Sequence, residues 1–147
     1  MLALELSEDL VKGFMGRLLR EDVFYGFNVR SVDIMAKNRF SIDGEVVNGE
    51  IKSYSKWSEV QPLVFEIVKQ MGKPSVFKIV LSHTEPLSVH ENASALFLNL
   101  MYENGKMNFT TATSQKAFSL EKTLNSAWDE WVRGFFISAA INVKDRG

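Results

Sequence analysis

The chain has no cysteine among its 147 residues. This excludes disulfides, thiolate nucleophiles and Cys-ligated zinc or iron–sulfur sites. It is compatible with a reducing compartment. Long apolar runs are also missing: no stretch approaches the ~20 apolar residues of a membrane span. Met1 to Arg20 is interrupted by Glu5, Glu8, Asp9 and Lys12, so it lacks the unbroken apolar core of a secretory leader. A cytoplasmic protein that does not engage membranes is the expectation. Net charge is close to zero, at −1, so no global field favours nucleic acid or an anionic surface. There is no Gly-rich phosphate loop, no Walker motif and no G-x-G-x-x-G. No cofactor is implied.

What remains is ordinary globular material, 46% hydrophobic and 24% charged. The length suits one domain covering residues 1–147, large enough to bury roughly 70% of its unfolded surface. The clearest local signal is a hairpin. Ala95 to Glu103 reads as a strand, Asn104-Gly105 as a two-residue turn and Lys106 to Thr113 as the returning strand. Asn-Gly suits a type I′ turn because both central residues need φ > 0. Counting back from the turn pairs Glu103 with Lys106, Tyr102 with Met107, Leu100 with Phe109 and Leu98 with Thr111. One face is thereby apolar, and Asn99, Asn108 and Thr110 fall on the other.

The other elements follow from periodicity. Leu2, Leu4 and Leu6 alternate as a first strand, and Leu10 to Leu19 repeat at helical spacing. In Tyr25 to Ala36 the apolar parity switches between Val29 and Val32, which calls for one extra residue near Arg30-Ser31, a bulge. Phe40 and Ile42 begin a further strand. Asn48-Gly49 suggests another hairpin, returning at Ile51 to Tyr54. Val60 to Met71 form a helical stripe stopped by Gly72 and Pro74, with Pro62 expected in the first turn and Ser55 or Ser58 as cap. Phe77, Ile79 and Leu81 alternate, and Lys116 to Leu120 reads as one more short strand. A last helix runs from Glu121 or Thr123 towards Val143, apolar nearly all round beyond Gly134.

The expected order is β-α-β-β-(β)-α-β-β-β-β-α. Antiparallel runs of strands with three helices make this an α+β fold with a mainly antiparallel sheet. A helix followed by about three strands, then a helix followed by about four, suggests a duplicated plan, though no residue-level repeat accompanies it.

Five segments carry a resemblance: Tyr54-Ser55-Lys56-Trp57, Phe77-Lys78-Ile79-Val80, Tyr102-Glu103-Asn104-Gly105, Thr110-Thr111-Ala112-Thr113-Ser114 and Ala127-Trp128-Asp129-Glu130. They resemble a small family of uncharacterised proteins from anaerobic Gram-positive bacteria. The likeness spans nearly the whole chain and is least at Thr84 to Ser94. It implies a domain of unknown function and brings no catalytic residues with it.

Candidate chemistry is sparse. His83 and His90, with Glu85 and Glu91, share one loop and offer two imidazoles and carboxylates to a hydrolytic metal. Their spacing follows no familiar zinc signature, and His83 also continues the apolar face of Phe77, Ile79 and Leu81. Ser53-Tyr54-Ser55-Lys56 matches S-x-x-K without the companion motifs of the serine acyl-transferases that use it. Thr110 to Ser114, with Asn99 and Asn108, offers a polar sheet face to a sugar or peptide. Arg30, Lys37 and Arg39 surround one turn where an anion could sit. Trp128, Trp131, Phe135 and Phe136 form an aromatic stripe of the kind that builds cores.

A helix that is apolar all round must be covered all round. Phe136, Ile137, Ala140 and Ile141 are therefore candidates for self-association. The leading expectation is a non-enzymatic binding or structural protein that acts through protein contacts, as a homodimer. The alternatives are a small hydrolase built on the His83/His90 loop and a clamp-like or TBP-like nucleic-acid module. Near-zero net charge argues against the last.

Overall fold

The computed structural model describes residues 1–146. Among them the chain runs β1 (Ala3–Leu6), α1 (Glu8–Arg20), β2 (Phe27–Met35), β3 (Arg39–Asp43), α2 (Trp57–Met71), β4 (Val76–His83), β5 (Ala93–Glu103), β6 (Lys106–Gln115), α3 (Thr123–Ser138) and β7 (Val143–Asp145). A single 3-10 turn at Pro86–Ser88 interrupts the loop after β4. The strands form one sheet in the order β3-β2-β4-β5-β6-β1-β7, antiparallel at every step. The fold is α+β.

The β5–β6 hairpin has the expected register, from Glu103 opposite Lys106 to Leu98 opposite Thr111. Asn104 and Gly105 have φ of 54° and 77°, the left-handed conformations a type I′ turn needs. Leu98, Leu100, Tyr102, Met107 and Phe109 are buried, whereas Asn99, Asn108 and Thr110 are half-buried. The bulge falls where the parity breaks: pairing with β4 steps from Val29 to Ser31, leaving Arg30 as the extra residue. Phe27, Val29, Val32 and Ile34 consequently all face the core.

All three helices cover that one face. A single apolar cluster joins Phe14 and Leu18 of α1, Trp57 and Val64 of α2, and Trp128, Val132 and Phe136 of α3 to the inward side of the sheet. Phe14 meets Phe109 edge-on at 5.3 Å, and Phe136 meets the same ring at 4.9 Å. The opposite face stays open over much of its area. It carries Glu5, Asp33, Lys78, Val80, Asn99, Met101 and Thr110, all half-buried or exposed.

Several local expectations are corrected. The last helix stops at Ser138, and Ala140 turns the chain with φ of 56°. Val143 leaves the helix altogether and pairs with Leu6 in β7. The segment is therefore not a helix apolar on every side: Phe136 and Ile141 enter the core and Val143 joins the sheet edge. Helix α2 begins at Trp57, so Pro62 lies inside it and not in its first turn. Pro62 points to solvent, and its missing N–H leaves the Ser58 carbonyl without the usual i+4 donor. The buried face of α2 is Trp57, Gln61 and Val64, while Leu63 is exposed.

Lys116 to Leu120 forms no strand. The Asn48-Gly49 region is a loop closed by single bonds, Val46 N–H to Ser53 O at 2.9 Å and Ser55 N–H to Gly44 O at 2.8 Å, with one bridge, Glu45 to Tyr54.

Candidate functional site

The His83/His90 loop does not assemble a metal centre. The His83 ring packs between aromatic side chains, 4.7 Å from Trp131 and 5.8 Å from Trp128. Its Nδ1 accepts the backbone N–H of Glu85 at 2.9 Å. Burial holds its pKa below the ordinary value of 6.5, partly offset by the nearby Glu85 carboxylate. His90 Nδ1 is likewise engaged by the Asn92 N–H at 3.0 Å, and its Nε2 lies 3.1 Å from the Thr123 hydroxyl. Among the described residues no three His, Asp or Glu side chains converge where a metal could sit, so Glu85 and Glu91 do not complete a site with the imidazoles.

Ser53 and Lys56 stand at the entry of α2 without a catalytic arrangement. Lys56 is the N-cap residue, and its N–H is bonded by the Glu59 carboxylate at 3.0 Å. That is one half of a capping box; neither Ser55 nor Ser58 supplies the cap. Arg30, Lys37 and Arg39 do not share a site. Arg39 lies 3.6 Å from Asp33, while Arg30 crosses the open sheet face, 3.8 Å over the Tyr54 ring and bonded to the Ser82 hydroxyl at 3.1 Å.

The hydroxyl-rich run splits between the two faces, as strand alternation requires. Thr110 joins Asn99 on the open side at 3.2 Å, and Ser114 joins Ser94 at 2.8 Å. Thr111 is buried on the helix side. It accepts the Leu2 N–H at 2.8 Å and donates to Asp129 of α3 at 2.6 Å. Thr113 donates to Asn125 of the same helix. These two threonines dock α3 and leave only Thr110 and Ser114 for a ligand on the open face. Asn108 Oδ1 is buried on that face without a partner among the described residues.

Of the self-association candidates, Phe136 and Ile141 are buried in the chain's own core. Ile137 is 78% exposed, and Ala140, three residues on, is also exposed. The more prominent apolar display lies elsewhere. Phe118 and Leu120 are each 86% exposed, on a loop that is nevertheless tied down. Lys116 N–H bonds Asn92 O at 2.9 Å. Asn92 bonds both the N–H and the carbonyl of Ala117, at 3.0 and 2.9 Å. Gln115 does the same for Ser119, at 3.1 Å each. Read as a sequence, the alternation of Phe118 and Leu120 resembled a strand; the Asn92 and Gln115 amides that hold it as a loop act across turns that periodicity does not register.

The fold and these features define a two-layer α+β protein with a half-open sheet and an ordered apolar loop. The chain belongs to a family of unknown function, DUF5721, whose model matches residues 17–144. No curated protein and no solved structure matches it. Among the described residues no helix is long and apolar enough to cross a membrane.

Proposed function

We propose that this protein is a non-enzymatic cytoplasmic binding module that acts through protein contacts, with a second copy of itself as the partner, and that the Phe118–Leu120 loop forms the contact. The observation that supports it is the pairing of near-complete exposure with fixed backbone geometry. Two large apolar side chains held out in water cost solvation free energy, recovered when they are covered. Because the loop is ordered beforehand, little conformational entropy is lost on docking.

Two side chains make a small patch. A two-fold axis doubles it, because the same loop is then buried on both subunits. The net charge of −1 lets two identical surfaces approach without strong repulsion. The nucleic-acid alternative draws no comparable support, since Arg30 and Lys78 share the open face with Glu5 and Asp33 and form no basic stripe.

Sedimentation velocity over a concentration series into the high micromolar range tests the reading. The wild-type chain is expected to dimerise, and the Phe118→Ser/Leu120→Ser variant to remain folded and monomeric. A wild-type chain that stays monomeric throughout refutes the self-association. A variant that dimerises as tightly as wild type moves the contact off this loop, and Ile137→Asp then asks whether the end of α3 carries it.

A further inference from the structure

The two helices α1 and α2 touch at one end and part at the other. Near the C-terminal end of α1, the Leu18 carbonyl accepts from Trp57 Nε1 at 3.3 Å and from Gln61 Nε2 at 2.9 Å. Towards the start of α1 and the end of α2 the helices leave a groove of about 500 Å³. That volume lies within the roughly 300–1,000 Å³ of small-molecule sites. Its walls are Val11 and Met15 from α1 and Val68 from α2, and Tyr102 of β5 lines it from the sheet side.

Three polar features stand out against these apolar walls. Tyr102 is only 5% exposed and lines the groove; its hydroxyl makes no hydrogen bond to the other described residues and is not a buried orphan, so it is left open to water or a ligand. Lys12 and Lys73 line the groove from α1 and from the segment after α2. Neither ammonium takes part in an ion pair among the described residues. Glu8 is the one carboxylate in the lining.

We infer that the groove between α1 and α2 binds a small amphipathic monoanion: a carboxylate held by Lys12, Lys73 and the Tyr102 hydroxyl, on an apolar body lying along Val11, Met15 and Val68. Charge complementarity selects the ligand. Two cations against one carboxylate leave room for a single negative charge. A phosphate-rich ligand would face Glu8 without the converging backbone amides that phosphates use. An uncharged hydrocarbon would gain nothing from the two exposed ammonium groups. The walls require an apolar body, because a compact hydrophilic acid would leave them wet.

Decanoate is the probe, used below its aggregation concentration, with 1-decanol as the uncharged analogue of the same chain length. Titration calorimetry of the wild-type chain is expected to show saturable binding of one decanoate per chain. Decanol should bind roughly tenfold more weakly or worse, the scale of a lost charge-assisted hydrogen bond. Lys12→Gln/Lys73→Gln should weaken decanoate by a similar factor and leave decanol unchanged. Both lysines are exposed, so this variant should fold. Tyr102→Phe should weaken decanoate a few-fold. Amide chemical-shift changes should cluster at Lys12, Met15 and Gly105.

Absence of saturable binding overturns the inference. So does equal affinity for decanol, indifference to the double lysine substitution, or shifts centred elsewhere. The Phe118→Ser/Leu120→Ser variant should bind decanoate as wild type does, which keeps this site separable from the self-association proposed above.

Discussion

The side-chain amide of Gln61, on α2, donates to the carbonyl oxygen of Leu18, on α1, at 2.9 Å. The same amide donates to the Glu21 carbonyl at 2.7 Å, and its oxygen accepts from the Tyr25 hydroxyl at 2.7 Å. One buried glutamine therefore ends α1, starts the turn towards β2 and fixes the angle between two helices. The final carbonyls of a helix have no intrahelical donor, and Gln61 supplies one from a neighbouring element.

Gln61→Leu should accordingly be costly despite its similar volume. It strips the Glu21 carbonyl of its side-chain donor, leaves the buried Leu18 carbonyl with only the longer bond from Trp57 Nε1 at 3.3 Å, and takes the acceptor from the Tyr25 hydroxyl, which water can reach. Each buried polar group left unpaired costs about 1–3 kcal/mol. Urea unfolding should show at least that loss, with the far-ultraviolet spectrum retained at zero denaturant. A stability equal to wild type would show that water replaces the amide at no cost.

Gly44 tests the bulge. A Cβ placed there would lie 1.9 Å from the Val29 carbonyl oxygen, and the Gly44 N–H bonds the Arg30 carbonyl at 2.9 Å. The chain leaving β3 thus passes against the bulge itself. Gly44→Ala must push the two backbones apart, and overpacking of this kind typically costs about 1–3 kcal/mol. Thermal unfolding and the amide shifts of Val29 and Ser55 should both move. An unperturbed variant would mean the loop from Gly44 to Lys56 is free to relocate.

Trp128 is fully buried, and its Nε1 donates to the Phe97 carbonyl at 2.8 Å. Trp128→Ala should destabilise by about 3–5 kcal/mol. Trp128→Phe keeps most of the packing and gives up the bond, so its loss should be smaller. Denaturation midpoints of the two variants distinguish packing from hydrogen bonding; equal losses would assign the whole effect to the bond.

The half-buried His83 makes stability depend on pH. Its folded pKa lies below the ordinary 6.5 because the charged ring is poorly solvated beside Trp128 and Trp131. Below 6.5 the unfolded chain binds this proton before the folded one does, so acidification favours unfolding. The contribution is fully present above 6.5 and is lost as pH falls through the folded value. His83→Gln should flatten the stability–pH curve in that window. A slope unchanged in the variant would place the titration on another group.

Much of this fold could be read from neighbouring residues, and the site could be read only in part. The Asn104-Gly105 hairpin, the bulge at Arg30 and the one-sided burial of β2, β5 and β6 follow from rules that span a few residues: a φ > 0 requirement and a two-residue alternation. The end of α3 did not follow. Phe135 to Val143 is apolar apart from Ser138 and Asn142, and neither residue says that the helix should stop at Ser138. What stops it is the free edge of β1, at the other end of the sequence, which takes Val143, Lys144 and Asp145 as a last strand. Phe136 and Ile141 are buried in the chain that carries them, while the Asn92 and Gln115 amides hold the loop whose Phe118 and Leu120 stay in water. Pattern and turn chemistry act over a few residues and determine the elements. Which apolar surfaces cover one another is settled by pairings between distant segments, and that decides which surface remains for a partner.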